Sequence, residues 1–479
     1  MIEDLKLYPE YKSSGMPWLS QIPAHWEISR SKRLFSARKE LALPGDVQLS
    51  ATQAYGVIPQ SEFEERVGRR VVRISMHLER RRHVEKDDFV ISMRSFQGGL
   101  ERAWASGAIR SSYVVLKSEA GVDIGYFAHL FKSAGYIRAL QSTASFIRDG
   151  QDLSFSNFAG VDLPLPPLAE QFAMGRFLDH ANRRIDRFIR AKRKLIALLN
   201  EQKQAIIHRA ATRGLDPSAP TKDSGAPWLG EIPAHWDLIA LGRLSTARCD
   251  GPFGAGLKSM HYTNGGVRVV RLQNIGFREF RGDASVFISA EHYATLGDHS
   301  VIAGDLLVAG LGDDKNPAGR ACVAPNGLGP AMVKADCFRF RLKAWPGFAE
   351  FIAAHLSATA GAATACLSTG ATRLRINLST TASRLVAVPP VDERVEIIKQ
   401  IESKCVPIDR ARHETEHQIK LIREYRTRLI ADVVTGQLDV RAAAARLPAE
   451  DPNEPVVPDL DDDAEAAADD PDDLDEDDA

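Results

Sequence analysis

Three stretches carry residue types that could do chemistry. Gly251-Pro252-Phe253-Gly254-Ala255-Gly256-Leu257-Lys258-Ser259 approaches a phosphate-cradling loop, in which glycines open backbone N–H groups to an anion and a lysine reaches it. Leu257 displaces the lysine by one place, and Leu241–Cys249 before it does not read as a buried strand, so nucleotide binding is not expected. Glu402-Ser403-Lys404 has the letters that end a nuclease motif, but it sits in a predicted helix without a suitable partner acid. His25 and His235 lie in matching Ile-Pro-Ala-His-Trp contexts. No acid, Cys or second His at a fixed offset could orient either ring, so both read as parts of a packed aromatic staple. No Asp/Asn-Pro-Pro-Tyr/Phe, H-E-x-x-H or G-x-S-x-G is present. A chain of 479 residues without a catalytic constellation reads as a binding protein.

The elements around these stretches come in pairs. Residues 14–26 (SGMPWLSQIPAHW) and 224–236 (SGAPWLGEIPAHW) agree at ten of thirteen positions, which points to duplication. A second echo lies 223 positions apart: Pro166-Pro167 with Pro389-Pro390, Glu170 with Glu393, Ile185-Asp186-Arg187 with Ile408-Asp409-Arg410, and Leu215-Asp216 with Leu438-Asp439. Each hinge opens a stretch with helical periodicity. Leu178, Ala181, Ile185, Phe188, Leu195, Leu199 and Ile206 recur at heptad spacing, and Ile401, Ile408, Ala411, Ile422, Tyr425 and Leu429 give a weaker second stripe. Thr415 and Gln418 interrupt the second seam, and Pro407 is expected to break or kink that helix near its start. About 45 helical residues at ~1.5 Å rise span about 65–70 Å, a spacer rather than an interior element.

Between the repeats, residues 27–162 and 237–385 share few letters, but both read as short β segments with Gly and Asn turns. Strands are expected at Val71–Ile74, Phe89–Ser92 and Tyr113–Leu116, then at Val267–Val270, Leu306–Val308 and Cys337–Phe340. The fold class is mixed α/β: two globules, each ending in a long helix. The segments are 1–162, a helix over 163–213, 214–385, a helix over 386–440, and a tail over 441–479.

Charge separates the tail from the body. Residues 448–479 hold 16 Asp and Glu and no Lys or Arg, so the overall −2 hides a body at +14 and a tail whose composition predicts disorder. A basic body suits a polyanion partner. Five widely spaced cysteines with no C-x-x-C suggest neither disulfides nor zinc. With no apolar signal region and no bilayer-length apolar run, a soluble cytoplasmic protein is expected.

Together these features resemble the DNA-specificity subunit of type I restriction-modification enzymes. The resemblance rests on the paired opening motif, the Leu163–Gln171 hinge and the helix ends at Leu215-Asp216 and Thr435–Asp439. Asp250-Gly251-Pro252-Phe253-Gly254, with Tyr262, Gly266 and Asn274-Ile275, completes it. It covers residues 1–440; Arg394 in place of Gln at the second hinge and the acidic tail depart from the pattern. The resemblance implies two target-recognition domains held apart by two antiparallel helices. Each domain would read half of a split double-stranded DNA site. The helices would dock two methylation subunits, with restriction subunits in the full complex. S-adenosylmethionine, ATP and Mg belong to those partners, and no cofactor or metal is expected on this chain. A paired-helix adaptor without DNA is the rival from another class; it would need matched globule surfaces, which the dissimilar letters of 27–162 and 237–385 do not offer.

For a DNA reader, Arg to guanine, Asn or Gln to adenine, and Lys or Arg to phosphate are the expected contacts. The first globule offers Arg94, Ser95, Gln97, Arg110 and Arg148. The second offers Lys258, Arg271, Gln273, Asn274, Lys315, Asn316, Arg320, Lys334, Arg373 and Arg375. The expected docking seam is Leu178, Ile185, Phe188, Leu195, Leu199, Ile206, Ile408, Ile422, Tyr425 and Leu429.

Overall fold

In the computed structural model, the described residues are 5–68, 70–71, 80–92, 95–143, 154–253, 256–313, 315–368 and 374–448. The chain folds as two compact units. Unit one is Met1–Lys194 with Glu416–Ala479, and unit two is Leu195–Thr415.

Short segments, of which Phe89–Ile91 and Leu306–Ala309 are apolar throughout, build a four-stranded antiparallel sheet in each unit. In unit one these are β1 (Phe35–Ala37), β2 (Phe89–Ile91), β3 (Glu101–Arg102) and β4 (Val114–Ser118), in the order β1-β4-β2-β3. In unit two they are β5 (Ser245–Cys249), β6 (Leu306–Ala309), β7 (Ala321–Val323) and β8 (Cys337–Leu342), in the equivalent order β5-β8-β6-β7. The central strands β2 and β6 are buried throughout, which explains their unbroken apolar runs. The second layer differs. Unit two has a five-stranded sheet that includes one parallel pair, Val267–Val270 with Ala331–Val333. Unit one has two-stranded ribbons there, Leu49–Thr52 with Gly56–Pro59 and Arg82–Val84 with Gly107–Ile109. Five expected strands therefore fall where the periodicity puts them, to within a residue or two, and Val72–Ile74 lies outside the described residues.

Each globule is tied to its hinge by an antiparallel pair. Glu27–Arg30 pairs with Asp162–Leu165, and Asp237–Ala240 pairs with Leu385–Val388. The hinges then open two helices, α1 (Leu168–Arg213, 46 residues) and α2 (Val391–Val434, 44 residues). Of the break or kink expected at Pro407, the break does not occur: α2 runs through it. The buried neighbours Cys405 and Ile408 hold that turn in place, which offsets the lost N–H bond.

The buried stripe also differs from the heptad reading. Met174, Ile185 and Ile207 are buried and Ile196 half-buried, each eleven residues from the next. The positions 223 later, Ile397, Ile408, Ile419 and Ile430, repeat the pattern, with the first three buried and Ile430 partly so. Of the expected seam, Leu178, Ile185, Ile408 and Leu429 are buried, Leu199, Ile206 and Ile422 are half-buried, and Phe188, Leu195 and Tyr425 are exposed. The cause is geometric. A strict heptad slips about 20° per repeat on a straight helix, whereas eleven residues give ~3.67 per turn, closer to 3.6.

Within unit one, Leu178 of α1 shares a core with Leu429, Val433 and Val434 of α2, and Arg426 bonds Asp186. Within unit two, Ile207, Ala210 and Ala211 share a core with Ile397, Ile401 and Cys405, and Lys203 Nζ sits 2.6 Å from Asp409 Oδ1. The acidic tail was expected to begin its disorder at 441, but residues 441–445 form a short helix with Ala444 buried. Arg176 also donates to the carbonyls of Leu447 and Pro448 at 3.0 and 2.8 Å. The tail beyond 448 lies outside the described residues.

Candidate nucleic-acid interface

The opening motif and the hinge meet in each unit around one carboxylate. In unit one, Glu170 accepts from the Trp26 indole at 2.9 Å and the Tyr8 hydroxyl at 3.2 Å through Oε2. Its Oε1 lies 2.7 Å from His25 Nε2 and 2.9 Å from Arg441 Nη1. Burial, with Glu170 beside it, pushes the Tyr8 phenol well above its ordinary range. In unit two, Glu393 takes the Trp236 indole at 3.1 Å and His235 Nε2 at 2.7 Å. The histidines thus have an orienting acid after all. It lies 145 and 158 residues away in sequence, where no local offset reveals it. The signal that could have found it was the pairing of a recurring His with a recurring Glu. Both indoles are fully buried, so these are packing braces that fix each globule on its helix.

The two hinges differ at one position, and the structure shows what each residue does. Gln171 accepts from the Asp123 N–H at 2.8 Å and donates to the carbonyls of Gly121 and Pro166 at 3.1 and 2.8 Å. Arg394 donates to the Pro346 carbonyl at 3.3 Å and stacks 4.8 Å from the Phe348 ring centre. Each ties the helix start to the loop before a globule helix. Burial lowers the Arg394 pKa.

The braces leave one end of each sheet to the loops. Arg110 and Lys334 occupy matching places there, each four residues before the strand residue that pairs with the third residue of the central strand. Both segments close the same turn, Tyr113 N to Arg110 O at 3.2 Å and Cys337 N to Lys334 O at 3.0 Å. Lys334 Nζ donates to the Tyr262 hydroxyl at 3.1 Å. Arg375 sits beside this turn on the buried-side carboxylate of Asp336, 2.8 Å from its Oδ1, with Phe253 beneath the guanidinium. Asp336 N–H donates to Asp250 Oδ1 at 2.9 Å. Burial pushes the Asp250 carboxyl up to about 6. Tyr262, Lys334, Asp336, Arg375 and Phe253 thus come together from three distant stretches, 253–262, 334–336 and 375.

Other candidates are spent on the fold. Ser95 is buried and accepts the Ser92 N–H at 2.9 Å. Asn274 is buried; it accepts from Arg271 N at 2.9 Å and donates to Arg281 O at 2.8 Å and Ala284 O at 3.1 Å. Arg320 is buried, donating to the carbonyls of Ile275, Leu311, Asn316, Pro317 and Leu272, and burial lowers its pKa. Their polar atoms satisfy backbone groups that the loops would otherwise leave unpaired. Arg271 is half-buried with Nη2 3.4 Å from Ala284 O, and Asn316 is half-buried with its N–H on Asp313. Gln97, Lys258, Gln273 and Lys315 are exposed. Arg94, Arg148 and Arg373 lie outside the described residues. Sequence reasoning missed Asp336 because an acid on a loop gives no periodic signal. Among the described residues no group of three His, Cys, Asp or Glu side chains could hold a metal ion, and no helix is long and apolar enough to cross a membrane.

No family model and no curated protein matches the chain. Solved structures do. A chain from a study of complex assembly and conformational transition of the type I R-M system superposes with a TM-score of 0.55 at 14% identity, covering 87% of this chain and 99% of that one. This chain shares that fold. The HsdS subunit from Thermoanaerobacter tengcongensis gives a TM-score of 0.41 at 13% identity, over 87% of this chain and 98% of that one. The type I restriction-modification S subunit from M. genitalium gives 0.35 at 13%, over 85% and 96%.

Proposed function

We propose that the chain is the DNA-recognition subunit of a type I restriction-modification complex and catalyses nothing itself. The observation that carries this is the shared fold over 87% of the chain with a protein of the type I R-M system. In this reading, residues 1–162 and 214–385 each read one half of a bipartite, asymmetric target. The helices of 163–213 and 386–440 set the gap and dock two methylation subunits. S-adenosylmethionine, ATP and Mg act on partner subunits.

Four features support it. The two units have one central sheet order and one Trp–His–Glu brace but different second layers, as two readers of unlike half-sites require. The cores and ion pairs of α1 and α2 run in opposite directions within each unit. Positions 223 apart behave alike in the stripe and in the brace glutamates Glu170 and Glu393, which fits an internal duplication. The body is basic, suiting a polyanion.

Co-expression with the methylation subunits, followed by methylation mapping of host DNA, tests the reading. The expected product is one bipartite motif with two unlike halves and a fixed gap, lost without this chain. Assembled complexes that bind no duplex and methylate no such motif would overturn it.

A further inference from the structure

Arg375 is held from three sides. Its backbone pairs with Leu311, and Ile376 N–H donates to Gly310 O at 2.9 Å. Its Nε and Nη2 both donate to Asp336 Oδ1, at 2.9 and 2.8 Å. Its guanidinium carbon lies 5.7 Å from the centre of the Phe253 ring, which is 54% exposed. Asp336 is fixed in turn. Its N–H donates to Asp250, its carbonyl accepts Gly310 N–H at 2.7 Å, and its φ is +63°.

This is an unusual way to place an ion pair if stability were its purpose. A surface pair contributes little, while a left-handed non-glycine residue and an exposed phenyl ring both work against folding. The exposure pattern gives the direction. The Arg375 side chain is 47% exposed over an Asp336 side chain that is 15% exposed, so the carboxylate is underneath and the donors face outward. Arg102 has a similar brace on Asp87 in the opposite sense, 21% over 39%, with the guanidinium inside. Asp336 takes the Nε–Nη2 side and leaves the Nη1–Nη2 end of the fork presented. It also cancels the charge, so attraction to phosphate is weak while directional donors remain. Two parallel N–H donors on a fixed plane match the O6 and N7 acceptors of guanine in the major groove. A held rotamer loses little entropy on binding.

We infer that Arg375 reads a guanine in the half-site contacted by unit two, with Asp336 and Phe253 as its positioning residues. The inference rests on the DNA-recognition reading above and deepens it. Lys334, on the same turn as Asp336, supplies the neighbouring phosphate contact.

The test uses the complete chain assembled with its methylation subunits and duplexes carrying the mapped target. Each guanine of the target is replaced in turn by 7-deazaguanine, which lacks the N7 acceptor. With the natural chain, one replacement in one half-site should weaken binding about tenfold. R375A should bind the natural duplex more weakly and be indifferent to that replacement, with every response in the other half-site unchanged. Where R375A binds too weakly to compare, R375K serves, since lysine keeps the charge but not the fork. D336N should reduce the same single response. An R375A or R375K complex that keeps every guanine response overturns the inference, as does a unit-two half-site without guanine. If the natural complex has no bipartite target, the parent reading fails first, and this one with it.

Discussion

Lys203 Nζ lies 2.6 Å from Asp409 Oδ1, and the residues 223 positions from each, Arg426 and Asp186, pair with one another in the other unit. The acid of each helix thus meets the base of the other, once in each unit. Both pairs are partly buried, so each contributes more than a surface pair but less than a core contact, about 1 kcal/mol. K203D and D409K should each lower the thermal midpoint by roughly 2–4 °C, and the double exchange should restore most of it. Singles that leave the midpoint alone, or a double no better than its worse single, would remove the pair from the account of helix packing.

Glu170 and Glu393 make unequal demands. Glu170 satisfies four donors, from Tyr8, His25, Trp26 and Arg441, whereas Glu393 satisfies Trp236 and His235. Its side chain is 7% exposed against 27% for Glu393. Truncation strands those donors, at roughly 1–3 kcal/mol for each buried one. E170A should therefore unfold at clearly lower urea than E393A. Equal midpoints would mean that Arg441 and Tyr8 add nothing to the first brace.

Much of this architecture was legible in the sequence. Five short apolar runs gave five strands because buried strands need continuous β-branched and aromatic residues. The two long helices followed from periodicity and, in the first, from the absence of proline between the hinge and Arg213. What failed depended on tertiary partners. Pro407 reads as a breaker, but burial of Cys405 and Ile408 overrides it. Asn274 and Arg320 read as base contacts by residue type, yet irregular loops need their own polar side chains to satisfy backbone groups. The Glu170 and Asp336 roles come from residues distant in sequence, which composition does not join.

Asp250 should make unit two pH-dependent. Burial raises its folded pKa to about 6 from 3.8, so between those values the folded chain holds a proton that the unfolded chain has released. Stability then falls as pH rises through that window, and above it this group adds no further slope. Asn at this position keeps an oxygen for the Asp336 and Gly251 N–H groups but carries no charge. From pH 4 to 6.5, the natural chain should lose more of its urea midpoint than D250N does. Parallel midpoint curves for the two would show that the carboxyl is ionised throughout in the folded state.

The eleven-residue stripe makes the most local prediction, because it separates two neighbouring isoleucines. Heptad spacing puts Ile206 in the seam, whereas the structure buries Ile207 completely beside Ala210, Ala211 and Ile397 and leaves Ile206 half-buried. A carboxylate at 207 would be buried without a partner, which costs several kcal/mol. At 206 it can turn toward water, with a loss nearer 1 kcal/mol, mostly from apolar contact. L198D, at a side chain that is 51% exposed, should stay within about 0.5 kcal/mol of the natural chain. Urea midpoints of the full chain should therefore order natural ≈ L198D > I206D ≫ I207D. The reverse order for the two isoleucines would restore the heptad, which keeps Ile185, and take Ile196 out of the row with Ile207.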